Sequence, residues 1–193
     1  MLDQDGPPAA PGEDISCALA LVNTRHMRAG QPVDLLCDGT GASGWLAARA
    51  LIPDGQQVSD ADAARLRALR ETVRGLLSAR AERRAPAAGE VAALNAALAS
   101  APVIPALSWD AGGPHGGETR PGVTAVSAVT SLLAGDALRV LTDPGTAEPA
   151  PCLAHGCIRW FLRTHAARQW CSTRCGDRVR AARHYARHRP APC

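Results

Sequence analysis

CLAHGCIRWFLRTHAARQWCSTRC, residues 152–175, carries two close cysteine pairs, Cys152 with Cys157 and Cys171 with Cys175, separated by 13 residues. Four thiolates at this spacing suit tetrahedral Zn²⁺, because each pair closes a small chelate and the intervening loop brings the pairs together. Free thiols and an iron–sulfur cluster are the competing readings, and a cluster more often shows a different spacing. The expectation is one structural zinc per chain, held by Cys152, Cys157, Cys171 and Cys175. A closed shell of four sulfurs leaves no position for a reactive water, so neither His155 nor His165 is needed and the metal is not catalytic.

Outward from the cysteines, Gly156 suits a tight knuckle, and Ile158, Trp160, Phe161 and Leu162 predict a short apolar hairpin. Cys171 and Cys175 open a Pro-free stretch, Ser172 to Arg189, that reads as a helix with both sulfurs on one face. Along it, Arg174, Arg178, Arg180, Arg183, His184 and Arg187 face a single acid, Asp177. A solvated surface helix usually mixes its signs, so phosphate contact is the economical explanation. Val179, Ala182 and Ala186 are the positions expected to pack inward.

The basicity is local. Residues 1–151 hold 12 Arg against 17 acidic residues, whereas residues 152–193 hold nine Arg against Asp177, with four of the six histidines. A basic block on an acidic body suggests a polyanion-binding end. All 21 basic residues are Arg, a bias that a high-GC genome also produces. The apolar fraction of 46% supports a packed core, but with six aromatic residues that core must be built from Ala, Leu and Val. Seven cysteines without a signal peptide argue against a disulfide framework and for a cytoplasmic chain.

Upstream, residues 1–12 read as a disordered leader. Helices are expected at Glu13 to Arg28, with Ile15, Leu19 and Val22 inward, and at Ala42 to Leu51. The clearest runs from Asp60 to about Arg84, with Leu66, Leu69, Val73, Leu76 and Leu77 on one stripe, Arg70 mostly off it, and Ser59 as N-cap. Another spans about Ala87 to Ser100 with Val91, Leu94 and Leu98 inward. Val103 to Trp109 opens a hairpin whose tip, Ala111 to Gly122, holds five Gly and two Pro and reads as long and mobile. A helix from about Thr124 to Ala134 follows, then a linker at 142–151 where the charge balance flips. The fold class expected is mainly α (α+β): a helical N-terminal domain over 13–141 with a small β-hairpin, and a four-cysteine finger over 152–189. Asn23 and Thr24 interrupt an apolar helix; they read as a polar helix end bonded to backbone, or as a ligand or subunit contact.

At Cys171-Ser172, Cys175-Gly176-Asp177-Arg178 and Arg183-His184-Tyr185-Ala186-Arg187, with Trp170 before the third cysteine, the block resembles the CGNR zinc finger. The resemblance extends to Leu19–Thr24, Pro32–Leu36 and Trp45-Leu46, which look like the start of the ABATE domain that precedes that finger; Ala88–Ala97 and Leu107-Ser108-Trp109 look similar too. It implies zinc on the four cysteines, a mainly helical N-terminal domain and a role in stress-induced transcription regulation, and it marks Gly176 and Arg178 as signature positions. Asp177 stands where the signature has Asn, facing phosphate or pairing with Arg174 or Arg180. Arg163–Ala166 replaces an acidic, Ser-containing turn.

The function expected is therefore a zinc-dependent DNA-binding regulator whose last helix contacts duplex DNA. The rival is a zinc-stabilised interaction module that docks an acidic partner without nucleic acid. No nucleophile, His and carboxylate cluster stands at a motif spacing, and the Gly-rich stretch lacks a P-loop's Lys, so no enzyme is expected. No membrane segment is expected, and a small-molecule effector and a homodimer are left open.

Overall fold

The computed structural model describes residues 7–143 and 145–188; the first six residues of the expected leader and Arg189 lie outside the described residues. α3 (Asp60–Ala81) is the axis of the N-terminal bundle. Ser59 caps it by accepting from the Asp62 amide, with Asp60 and Asp62 in the positive first turn. Its stripe of Leu66, Leu69, Val73, Leu76 and Leu77 is buried, as the 3.6-residue period requires. α1 (Cys17–Val22), α2 (Gly39–Ala47), α4 (Glu90–Leu98) and α5 (Ala125–Thr142) pack around it.

Several expectations in this half change. The first helix stops at Val22, because Ala29 and Gly30 both take positive φ and turn the chain into a hairpin, β1 (Arg25–Arg28) against β2 (Gln31–Asp34). The helix also starts only at Cys17, after its N-cap Ser16, so Ile15 lies ahead of it and is exposed, and Val91 of α4 likewise faces solvent. α5 continues eight residues past Ala134 through Gly135, and Asp136 earns its place by accepting from the Ser16 hydroxyl and the Ala18 amide at the start of α1. Arg70, expected off the stripe, is buried; its guanidinium grips both Asp34 oxygens at 2.6 and 2.8 Å and bonds Glu71.

The long tip expected at 111–122 is instead strand. β3 (Ile104–Asp110) and β4 (Gly113–Thr119) pair residue by residue around a turn at Ala111-Gly112, where Asp110 accepts from the Gly112 amide. Glycines give no side-chain alternation, so the strand carried no period-2 signal.

The expected linker is also structured at its end. β5 (Pro149–Pro151) pairs antiparallel with β6 (Trp160–Leu162), and the first cysteine pair lies in the loop between them. α6 (Thr173–His188) completes the finger. Trp160 and Leu162 belong to the bundle's core, whereas Phe161, on the opposite face of the same strand, fills a second core with Ala150, Ala154 and the cysteines. Alternation along β6 thus joins two cores. The expected leader takes part: Ala10 is buried in the finger core and the Pro11 carbonyl accepts from the Leu162 amide at 2.8 Å. A Pro/Gly-rich segment can be ordered by partners far along the chain, which its composition does not reveal. The domain and the finger read from charge and composition are thus in contact through β6 and residues 10–11.

Candidate metal centre and basic helix

The β5–β6 loop presents Cys152 and Cys157; Cys175 lies in the first turn of α6, whereas Cys171, expected on the same helix face, lies two residues before the helix begins. Backbone bonds set the loop: Cys152 N–H donates to the Arg159 carbonyl and Cys157 N–H to the Ala154 carbonyl, both at 2.9 Å. The Ser172 hydroxyl accepts from the Cys175 amide, fixing the first turn of the helix. All four sulfurs lie within 4.8 Å of one another, with Cys157–Cys171 at 3.8 Å and Cys171–Cys175 at 3.7 Å. Zinc–sulfur bonds of about 2.3 Å at tetrahedral angles put sulfurs about 3.8 Å apart, so the cage fits zinc.

Within the cage the thiols compete for charge. Hydrogen bonds from Cys157 and Cys171 draw the Cys152 thiol far below its usual range, and Cys152 in turn pushes Cys157 and Cys171 up. Without a cation one thiolate is stabilised at the expense of its neighbours; a divalent cation removes that competition. His155 and His165 are exposed and outside the sulfur cluster. The centre is a structural zinc site of four cysteines.

Two signature positions have local reasons. A Cβ on Gly176 would meet Trp170 Cε3 at 3.1 Å and Arg180 Nη1 at 3.2 Å, so the helix approaches that ring only with a hydrogen there. Arg178 reaches back to the Cys175 sulfur at 3.8 Å. Of the residues expected at a phosphate surface, Arg174, Arg178, Arg180, Arg183, His184 and Arg187 are all exposed. Arg178 is turned toward the cage, and Arg180 pairs with Asp177 at 2.6 Å. Arg174 and Arg183 have no acidic partner among the described residues, and the His184 ring packs at a tilt against His188. Val179 packs on the finger core as expected, but Ala182 and Ala186 are exposed: every residue from 180 to 188 is. The helix has left the body by that point, so no inward face exists for them.

Asn23 and Thr24 are separated by their roles. Asn23 is buried and clasps the finger: its amide donates to the Trp160 carbonyl and to Glu13, and its oxygen accepts from the Trp160 amide, at 2.6–2.8 Å. Thr24 closes α1 by donating to the Leu21 carbonyl and accepts from Arg70. Sequence reasoning missed the partners of this clasp. Glu13 binds Arg159 at 2.6 Å, Arg159 also donates to the Pro8 carbonyl, and Arg74 bridges the Ile158 and Val22 carbonyls. One signal was present: Arg159 stands inside the apolar run Ile158–Leu162, where an unpaired charge could not be buried.

In comparisons with known proteins, the ABATE family model, described as "Putative stress-induced transcription regulator", matches residues 16–144. The CGNR zinc finger model matches residues 150–188. No curated protein matches the chain.

Proposed function

The chain belongs to the ABATE family and carries a CGNR zinc finger, and from that premise we propose that it is a cytoplasmic, DNA-binding transcription regulator of the stress response, with α6 as the DNA-contacting element. The observation that carries this reading is the free-standing end of α6. Residues 180–188 are all exposed, with Arg180, Arg183, His184 and Arg187 at i, i+3, i+4 and i+7 along one face and no acid among them. Nine helical residues span about 13 Å, against a major groove about 12 Å wide. The zinc supports the arrangement by anchoring the base of the helix, and its closed sulfur shell supports a non-enzymatic role. α5 has the length and apolarity of a membrane span, but six of its residues are buried in the bundle, which supports a core role.

Binding of the zinc-loaded chain to duplex DNA, measured by fluorescence anisotropy across salt, tests this. Three to four phosphate contacts give a slope of log K against log salt of about −3 to −4, and Arg183→Ala or Arg187→Ala flattens it by about one. No affinity at low salt would replace the regulator by a module that docks an acidic protein.

A further inference from the structure

A cavity of about 730 Å³ opens where residues 7–13, the β1–β2 hairpin and α2 meet Arg159 of the finger. Its size is that of a small-molecule site, and most of its lining is apolar, with Ala20, Val33 and Trp45 among the walls. Its polar lining is unusual for a gap between elements, because Glu13, His26 and Arg159 all reach it from buried positions.

Charge in the cavity is uneven. Glu13 is the carboxylate for two guanidiniums: Arg159 holds it at 2.6 Å, and Arg49 stands 3.7 Å from its other oxygen while lying 5.4 Å over the Trp45 ring. Asp34, the other acid at the wall, is already gripped by Arg70. Arg159 is 5% exposed, and its Nε has no hydrogen-bond partner among the described residues. That Nε is enclosed by protein, while the Nη atoms bond the Pro8 carbonyl and Glu13 and so hold the guanidinium in place at the cavity wall. Burial and then the charge of Arg159 hold the His26 imidazole below its ordinary pKa, so it adds a neutral polar edge.

We propose that this cavity binds a small organic carboxylate with an aromatic or branched apolar body, its carboxylate between Arg49 and Arg159 and its body against Ala20, Val33 and Trp45. Charge-assisted hydrogen bonds to the two guanidiniums supply orientation, and the apolar walls supply affinity. Arg159 follows the Cys157 knuckle, so the ligand touches both the bundle and the finger. The proposal goes beyond the nucleic-acid reading and does not depend on it.

The test is titration of the zinc-loaded full chain with benzoate and phenylacetate, against benzylamine, benzyl alcohol and acetate, by calorimetry and ligand-observed NMR. The aromatic carboxylates are expected to saturate at one per chain and to bind at least about tenfold more tightly than the amine, the alcohol or acetate, as expected when both charge and body contribute. Arg49→Gln is expected to weaken the carboxylates by about tenfold without changing zinc content, and Ala48→Phe, at the cavity wall, to abolish binding. Failure of both carboxylates to bind, equal binding of the amine or alcohol, or unchanged carboxylate affinity in Arg49→Gln overturns the proposal.

Discussion

Residues 149–162 and residues 180–188 belong to the same zinc unit and have opposite surroundings. In the first, Trp160 and Leu162 lie in the bundle core, Asn23 bridges the β6 backbone and Arg159 is locked to Glu13. In the second, every side chain is exposed. The zinc lies between the two, joining the attached hairpin to the free helix. Substitutions on the hairpin side are therefore expected to act on stability, and those on the helix side on binding.

Metal loss has the largest expected effect. Structural zinc in small fingers supplies on the order of 10–16 kcal/mol of apparent binding energy. Cys171→Ser is expected to lose stoichiometric zinc and to unfold the finger, read by elemental analysis. Because β6 contributes to the bundle core, the bundle should also melt at lower temperature in circular dichroism. A bundle melt unchanged after zinc loss would show that the two cores are independent.

Asn23→Ala comes next. It leaves the Trp160 amide and carbonyl buried without their partner, which costs about 3 kcal/mol. Arg183→Ala, on the free helix, should stay within about 0.5 kcal/mol of the parent. Urea unfolding of the two variants side by side measures the contrast, and equal losses would erase it.

The legibility of the sequence follows the same division. The cysteine cage was readable because a metal needs donor types at fixed spacing, and α3 because a long stripe repeats every 3.6 residues. The exposed charge of α6 was readable because nothing packs on it. The clasp was not, since Glu13, Asn23 and Arg159 pair across more than 130 residues of chain and no local period encodes such a contact. The β1–β2 hairpin was hidden for another reason: Leu19 and Val22 start a helical pattern that the positive-φ turn at Ala29-Gly30 overrides. That Asn23 ends α1 and bonds the Trp160 backbone far along the chain also needed the structure.

A smaller effect concerns acid. Burial, then Arg159, lowers the His26 pKa in the folded chain below its ordinary value, so the unfolded chain takes up the proton first. The stability tied to neutral His26 is full above that unfolded value and is lost as pH falls toward the folded one. Urea midpoints across this window should fall more for the parent than for His26→Gln, while zinc-linked acid sensitivity is common to both. Parallel curves would remove His26 from the attached side of the division.

Asp177→Asn is expected to do least, and it probes the helix side alone. Asp177 and Arg180 form an i,i+3 pair at 2.6 Å in which both partners are mostly exposed. Exposed pairs of this kind are worth about 0–1 kcal/mol, so unfolding midpoints should barely move. The same weakness limits what the anion withholds from DNA, since Arg180 can leave Asp177 for a phosphate at little cost. Duplex affinity should then rise by less than about fivefold, the factor that corresponds to 1 kcal/mol. A larger gain would mean that Asp177 repels phosphate directly, and that the acid at the family's Asn position, rather than the exposed Arg run, sets how tightly the free helix binds.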